Sequence, residues 1–223
     1  MKLVHFELSG VLLDDKTNFT EWIIESPDLF SEYVIELHSQ IEGAEGRFVL
    51  SESDKILALS KSTVIILNPL NVDINTRKVL NKLYSELSDY AKSEQMYVRT
   101  SEFLRSMQEY LLELEQCTEH NLEYDQEIDI ASLLKSVNVH YEATSMSFQE
   151  SLLQYLKILA DIFGIKLFIF VNLRSYLTNA QTSELIKEMN YQNICSIFIE
   201  NQKRESLEGV KAYVIDTDNC EIF

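Results

Sequence analysis

The densest group of chemically active side chains in this sequence is an acidic segment that runs from Glu113 to Asp129. Seven of its residues are Asp or Glu, and no Lys or Arg lies between Arg105 and Lys135. Four of the glutamates are spaced four residues apart: Glu115, Glu119, Glu123 and Glu127. On a continuous helix this spacing would stack them on one face, where each like-charged pair costs about 0.2–0.5 kcal/mol. The acidic segment therefore requires a helix break, hydration, a basic surface or a bound cation.

The second half of the acidic segment has a different spacing, because the acids alternate with other residues from Glu123 to Asp129. Alternating carboxylates suit a loop that wraps oxygen atoms around one ion, and calcium takes six to eight oxygen ligands. The residue order is not that of an EF-hand, since the segment has no glycine for the sharp turn. Two interpretations are compatible with this pattern. The segment is either a solvated acidic face between two helices or a metal site.

Motifs for nucleotide or hydrolytic chemistry are missing from the sequence. The five glycines form neither G-x-x-x-x-G-K-[ST] nor G-x-G-x-x-G, the loops whose backbone N–H groups cradle phosphates. The histidines do not occur in H-E-x-x-H, and no serine lies in G-x-S-x-G. The most apolar strand ends at Asn172, where an ATPase would need an aspartate to hold magnesium. We therefore expect no nucleotide hydrolysis, and a nuclease would have to draw its metal-binding carboxylates from the acidic segment.

The composition predicts a soluble intracellular protein. The chain has 223 residues and a net charge of −17, which disfavours binding to anionic membranes and non-specific binding to nucleic acid unless a local basic channel exists. Its three cysteines are sparse and far apart, as in proteins of a reducing compartment, and the N-terminal stretch lacks the apolar run of a signal peptide. We expect a cytoplasmic location and no membrane association.

A small set of cations provides the candidate contacts for an anionic partner. The four that fall near predicted strand ends in the last third of the chain are Lys166, Arg174, Lys203 and Arg204. Their positions allow one shared surface. Taken singly, each fits an ordinary solvated charge better than a phosphate contact.

Strand and helix patterns alternate at both ends of the sequence. An early strand at 63–67 is apolar on both faces, so we expect it to be central in a sheet. From residue 147 onward the order helix, strand, helix, strand, strand is typical of right-handed crossovers and a largely parallel sheet. The predicted class is α/β, with a discontinuous head domain of residues 1–70 and 138–223.

Residues 71–137 predict a helical leg domain inserted into the head, with the acidic segment as a hinge at 113–129. Apolar residues recur at three- and four-residue intervals from Val79 to Tyr90 and again from Phe103 to Leu114. Two such helices without intervening strands favour an antiparallel hairpin in which each helix buries its apolar stripe against the other.

Several stretches, in the same order along nearly the whole chain, resemble one protein family. They are residues 70–75, 122–125, 133–139, 167–172 and 176–178, which read LNVDIN, LEYD, LLKSVNV, LFIFVN and YLT. On this set the chain resembles the CRISPR-associated spacer-acquisition ring proteins of type II-A systems, the Csn-two family. The similarity rests on the set, since no single motif is diagnostic.

The resemblance implies both a fold and a function. The fold would be an α/β head, similar to a degenerate P-loop NTPase without its nucleotide site, with a helical leg. The function would be that of a non-enzymatic homotetrameric ring that encircles double-stranded DNA, loads at free ends and moves inward. Such rings support the capture of new spacers in antiviral defence, alongside the integrase pair and the RNA-guided nuclease of the same system.

The resemblance also implies calcium ions at the acidic hinge, where they hold the ring conformation. The ligands expected on this sequence are Glu119, Glu123, Asp125, Glu127 and Asp129. Asn121 stands where relatives often carry Asp, and one extra residue follows Asp125, so the ligand set is defined to within a residue or two. Relatives often place a lysine cluster before the strand at 167–172, where this chain has only Lys166. The contacts to DNA are then redistributed or weaker.

Two other functions remain compatible with the sequence. One is a metal-dependent nuclease or residual NTPase of similar fold, which cleavage of duplex DNA with magnesium or manganese would support. The other is an acidic module that binds protein and not DNA, which the lack of any shift with linear DNA would favour.

Overall fold

A computed structural model of the chain describes residues 1–53, 55–125, 127–142, 146–207 and 209–222. The chain divides into two units. The first, here called the sheet unit, combines Met1–Asp73 with Ala143–Phe223, and the second, the helical unit, is Ile74–Glu142. The boundaries predicted from the sequence lay at 70/71 and 137/138.

The sheet unit contains nine strands among its described residues. They are β1 Lys2–His5, β2 Phe19–Ile24, β3 Phe48–Glu52, β4 Lys55–Leu57, β5 Thr63–Ile66, β6 Leu167–Val171, β7 Cys195–Glu200, β8 Lys211–Ile215 and β9 Glu221–Ile222. Six form one sheet in the order β5-β6-β7-β2-β8-β9, in which only the β8–β9 pair is antiparallel. The others form a small antiparallel sheet in the order β1-β3-β4. This arrangement confirms the prediction of an α/β protein with a mostly parallel sheet.

Apolar residues on both faces explain why β2 and β6 are buried along their whole length. Strands of a parallel sheet are covered by helices on both sides, so they lack the alternation of a half-exposed strand. Trp22 of β2 and Phe168 and Phe170 of β6 have no exposed surface. The core of the unit is therefore built on the centre of the parallel sheet.

The expectation that the strand at 63–67 is central is wrong. β5 pairs only with β6 and forms one edge of the six-stranded sheet, and Leu67 just beyond it is half exposed. Two helices, Pro27–Ile41 and Leu59–Ser62, pack on this edge strand. Apolar residues on both faces of a strand therefore predict that both faces are covered. They do not predict whether the strand is central or at the edge of the sheet.

The described residues form seven α-helices. They are α1 Pro27–Ile41, α2 Leu59–Ser62, α3 Arg77–Ala91, α4 Tyr97–Gln116, α5 Ile130–Ser136, α6 Phe148–Phe163 and α7 Asn179–Tyr191. Helices α6 and α7 each begin with a capping box, in which a hydroxyl and the side chain three residues later satisfy reciprocal backbone N–H groups. Helix α6 ends at Gly164, whose φ of +67° is the left-handed conformation expected for a glycine C-cap.

Within the helical unit, α3 packs against α5. The phenol of Tyr84, buried on α3, donates a hydrogen bond of 2.8 Å to the carbonyl of Val139, and the ammonium of Lys135 lies 5.8 Å from the Tyr84 ring. Asn75 and Tyr141 are joined by two hydrogen bonds that hold the two ends of the unit together. The unit is thus closed by contacts between its first helix and its last segment.

The predicted hairpin of two helices with mutually buried stripes is wrong. Along α4, every residue of which is described, no side chain is buried, and Phe103 and Tyr110 of the expected stripe are 49% and 60% exposed. The partner of α3 is the short helix α5 instead. Periodicity locates an apolar face on a helix, but it carries no information about which element covers that face.

Candidate nucleic-acid interface and acidic segment

The acidic segment is divided by the end of a helix. Helix α4 stops at Gln116, with Cys117 as its C-cap, so Glu115 is helical whereas Glu119 and the later acids are not. The four-residue stack of glutamates that a continuous helix would create is therefore absent from the described part of this segment. Of the four ways to relieve like-charge repulsion, the fold uses a helix break together with exposure to water.

Hydrogen bonds between residues close in sequence organise the turn after α4. A carboxylate oxygen of Glu115 accepts from the backbone N–H of Leu122 at 3.3 Å. The hydroxyl of Thr118 accepts from the N–H of His120 at 3.2 Å and donates to a nearby carbonyl. Glu119, Glu123, Asp125 and Glu127 are all exposed to solvent. Gln126 lies outside the described residues.

Asp129 has a structural role that the sequence analysis did not assign to it. It is the N-cap of α5, and its two carboxylate oxygens accept from the N–H groups of Ala131 and Ser132 and from the Ser132 hydroxyl at 2.6 Å. The hydroxyl bond above all, followed by the backbone bonds, lowers the pKa of Asp129. The carboxylate is therefore held in its ionised form by the same hydrogen bonds that cap the helix.

The expected calcium ligands are only partly brought together. Glu127 and Asp129 line one cavity of about 360 Å3 beside the start of α4, where Thr100 and Ser101 contribute hydroxyl groups. Among the described residues, no group of three or more Asp, Glu, His and Cys side chains is arranged to hold a metal ion. The carboxylate donors have the chemistry that a hard cation requires, but the described geometry does not assemble them. Calcium binding stays a prediction.

The predicted DNA contacts lie at opposite ends of the strands in the parallel sheet. Lys166 directly precedes β6, at the amino ends of the strands, and its ammonium pairs with Glu52. Lys203 and Arg204 follow the carboxyl end of β7, and Arg204 donates to the hydroxyl of Ser175 at 3.1 Å. The four cations therefore do not share one surface. In a parallel sheet, a residue that precedes a strand and a residue that follows one lie at opposite ends of the strands.

Arg174 is not a surface residue, contrary to the expectation. It is 2% exposed, and its guanidinium forms an ion pair of 2.5 Å with Glu21 on β2. The same guanidinium donates to Asn179 at 2.8 Å and to the carbonyl of Glu205 at 2.9 Å. Removal of a charge from water requires such partners. The sequence showed only a cation after a strand, which is equally consistent with a surface position.

Glu200, at the end of β7, completes this buried cluster. Its carboxylate is fully buried and accepts from the backbone N–H of Arg174 at 2.9 Å. Burial raises the pKa of Glu200 to about 7, the N–H bond opposes the rise, and the Glu21 charge adds to it. Glu21 and Glu200 were not among the predicted residues. The signal that would have found them is an acid inside an otherwise apolar strand.

Similarity to known proteins identifies the family of this chain. A sequence model of the family "CRISPR-associated protein (Cas_Csn2)" matches residues 40–219. The chain belongs to this family. The chain is 25% identical over 204 residues to a CRISPR-associated protein Csn2 of Streptococcus agalactiae, covering 91% of this chain and 89% of that protein. It is 20% identical over 139 residues to a CRISPR-associated protein Csn2 of Enterococcus faecalis, covering 62% and 63% of the two chains.

Membership of the Csn2 family confirms the resemblance found in the sequence and gives the chain a CRISPR-associated role. In the part of the chain that is described, no helix has both the length and the apolar character needed to cross a membrane.

Proposed function

We propose that this member of the Csn2 family is a non-enzymatic ring that binds the ends of double-stranded DNA without sequence preference and supports spacer acquisition. The observation that carries the proposal is the family match over residues 40–219, which extends across both units of the chain. In this role the chain acts beside the integrase pair and the RNA-guided nuclease of its CRISPR system.

The buried cluster of Glu21, Arg174 and Glu200 supports a role without nucleotide hydrolysis. In parallel α/β sheets, nucleotides bind beyond the carboxyl ends of the strands, near a glycine-rich loop. Here Arg174, which follows β6, forms an enclosed ion pair with Glu21 of β2, and its backbone N–H donates to Glu200 at the end of β7. The sequence supplies no glycine-rich phosphate loop. The proposed likeness of the sheet unit to a degenerate P-loop NTPase accounts for both features.

The charge distribution supports contact with DNA through a few residues. With a net charge of −17, most of the surface repels a duplex, so any contact must be concentrated on local cations. Lys203 is exposed, and Arg204 is next to it in sequence; both follow the carboxyl end of β7. We propose these two as phosphate contacts, with Lys166 as a separate one, and assign Arg174 to the fold alone.

Calcium is proposed as the ion that stabilises the ring. The exposed carboxylates of Glu119, Glu123, Asp125 and Glu127 are unshielded by any Lys or Arg between 105 and 135. A calcium ion would supply the missing positive charge and draw these oxygens together. The ion would act on conformation, since the proposal gives it no part in bond cleavage.

Self-association into a homotetramer is supported by the uncovered apolar side chains of α4. Phe103, Tyr110, Leu112 and Leu114 are each at least 41% exposed, and they occur on one 20-residue helix. Exposed apolar surface of this kind is typical of protein interaction sites. We propose a second copy of the chain as its partner, because a ring needs contacts between identical subunits.

A gel-shift series at low salt tests the proposal. The same duplex is offered as a linear molecule and as a closed circle, with calcium and with chelator. Threading from ends predicts a shift for linear DNA only, lost with chelator. Because phosphate contacts release counterions, the affinity should fall steeply as salt rises. Incubation of labelled duplex with magnesium or manganese should leave it intact.

Matched variants make the assay specific. Lys203→Gln with Arg204→Gln removes two proposed contacts and should reduce the slope of log affinity against log salt by about 2. Lys61→Gln with Lys157→Gln changes the net charge equally on exposed positions elsewhere in the sheet unit and should leave that slope unchanged. Equal shifts of linear and circular DNA would overturn the ring. Absence of any shift would redirect the search to a protein partner.

A further inference from the structure

A cavity of about 590 Å3 opens in the sheet unit at the amino ends of β2 and β8. Residues 16–19, which lead into β2, form one wall, and one face of α7 forms another. Leu207, Gly209 and Val210, which precede β8, complete the lining. Its volume lies in the range of sites for small molecules. Lys203 and Arg204 lie at the other side of the sheet, beyond the carboxyl ends of its parallel strands.

The lining of this cavity differs in charge from the rest of the chain. Two cations, Lys16 and Lys187, line it, together with four neutral polar side chains: Thr17, Asn18, Ser183 and Asn190. No acid occurs among its described lining residues, although the chain has 36 acidic and 19 basic residues. Within the described part of the chain, neither lysine forms an ion pair. We call this cavity the Lys16–Lys187 cleft.

Helical spacing explains how α7 keeps its acids out of the cleft. Ser183, Ile186, Lys187 and Asn190 are separated by three and four residues and therefore share one face. Glu184 and Glu188 lie on another face of the helix, where they line a different cavity with residues of α6.

The acids that precede the cleft along the chain are bound to other cations. Asp14 forms an ion pair of 3.6 Å with Lys211, and Asp15 pairs with the N-terminal ammonium. The positive charge of Lys16 is therefore not cancelled by its two neighbours in sequence.

We propose that the Lys16–Lys187 cleft binds a phosphate monoester. Two ammonium groups match the charge of a dianion, and the hydroxyl and amide groups beside them donate hydrogen bonds to phosphate oxygens. The buried side chains of Phe19, Ile186 and Leu207 give the cleft an apolar floor for the organic group of the ester. The ester is either a free mononucleotide or the 5′ end of a DNA strand, and only the second source rests on the proposed DNA function.

Because of where the cleft lies on α7, binding of an anion depends on the two lysines. Asn190 belongs to the last turn of α7, where the negative end of the helix dipole disfavours an anion. Ser183 and Lys187 lie beyond the first four residues of the helix, so their backbone N–H groups are not free to bind one. Binding must therefore come from the ammonium groups, with the neutral donors providing geometry. Loss of both charges should weaken binding at least tenfold, which distinguishes this site from one formed by backbone N–H groups.

Isothermal titration calorimetry at low salt tests the site, with inorganic phosphate, adenosine 5′-monophosphate and adenosine as probes. We expect both phosphates to bind and adenosine not to bind. Lys16→Gln with Lys187→Gln should weaken binding at least tenfold, whereas the charge-matched control Lys61→Gln with Lys157→Gln should not. Ser183→Phe, which keeps both charges but fills the cleft, should also weaken binding of the mononucleotide.

Duplexes with a 5′-phosphate or a 5′-hydroxyl identify the source. Tighter binding of the phosphorylated duplex, lost in the Lys16 and Lys187 double variant, assigns the cleft to DNA ends, and equal binding of the two assigns it to free nucleotides. If no probe binds, or if the double variant binds like its control, the proposal is overturned. If the mononucleotide binds while neither duplex does, the cleft stands and the DNA function fails.

Discussion

A carboxylic acid enclosed inside a parallel sheet is the most informative single residue of this chain. Glu200 is fully buried beside the Arg174–Glu21 ion pair, and burial raises its pKa to about 7. The group therefore binds a proton more tightly in the folded chain than in the unfolded chain. Such a difference makes the free energy of unfolding depend on pH.

Replacement of Glu200 by Gln should remove a pH dependence of stability. The unfolded carboxyl loses its proton near pH 4.5 and the folded one near 7, so the wild-type chain loses stability as pH rises through this window. The loss should total on the order of 3 kcal/mol at full ionisation, from 1.36 kcal/mol per pKa unit. The glutamine has no proton to lose.

Urea unfolding of both proteins at pH 5, 6, 7 and 8 provides the measurement. The difference in unfolding free energy, variant minus wild type, should increase with pH up to about 7 and then level off. Parallel curves for the two proteins would show that Glu200 does not carry the effect. Glu205→Gln, at an exposed residue near the same cluster, serves as the control and should follow the wild type.

At the scale of elements, the sequence predicted local structure well and tertiary partners poorly. The helix expected from residue 147 onward is found at Phe148–Phe163, and the most apolar strand, expected to end at Asn172, is found at Leu167–Val171. The edge position of β5 and the exposure of α4 were missed, because an apolar pattern reports that a face is covered and not what covers it. Arg174 was missed for the same reason, since the Glu21 that binds it is 153 residues away in sequence.

The site was predictable to a similar degree. The acidic segment could be located from its charges alone, and the helix break within it was among the expected solutions. The use of Asp129 as a helix cap follows from its position before an apolar run, a signal that was present in the sequence. The Lys16–Lys187 cleft was not predictable, because it is formed by three segments that only the fold brings together.

The cap at Asp129 predicts an effect on stability that does not require calcium. Asp129→Ala removes the acceptors for two backbone N–H groups and the Ser132 hydroxyl, so α5 should be destabilised. In chelator, we expect the unfolding midpoint to fall by about 2–4 °C. Asp129→Asn, which retains a capping oxygen, should recover most of the loss. A midpoint equal to the wild type would show that the cap is dispensable.

On the scale of the whole molecule, the net charge of −17 sets the conditions under which the proposed contacts with DNA and calcium would form. An acidic exterior with a few local cations would keep a ring in solution while it concentrates positive potential where a duplex passes. The carboxylates that calcium would neutralise then belong to the same electrostatic design as the cations that would contact phosphates.

Calcium should stabilise the wild-type chain and lose this effect when two central acids are neutralised. Calcium bound only by the folded chain raises the unfolding midpoint, and the rise continues with the logarithm of the calcium concentration above the dissociation constant. Glu123→Gln with Asp125→Asn should remove the calcium-dependent rise and leave the midpoint in chelator unchanged, because both side chains are exposed. Glu94→Gln with Glu102→Gln, at exposed acids outside the acidic segment, is the control and should retain the rise. A rise that survives in the first variant would exclude these two residues as ligands.

The strand order has a consequence for how the chain is made. β2, complete by residue 24, lies between β7 and β8, so that Phe19 pairs with Ser196 and Thr20 with Lys211. At about 5–20 residues per second, a ribosome needs on the order of ten seconds or more to deliver those neighbours. During that interval the apolar β2 has neither of its partners, and its non-local pairing is of the kind that folds slowly. The earliest strand of the six-stranded sheet is thus among the last to be joined by both of its neighbours.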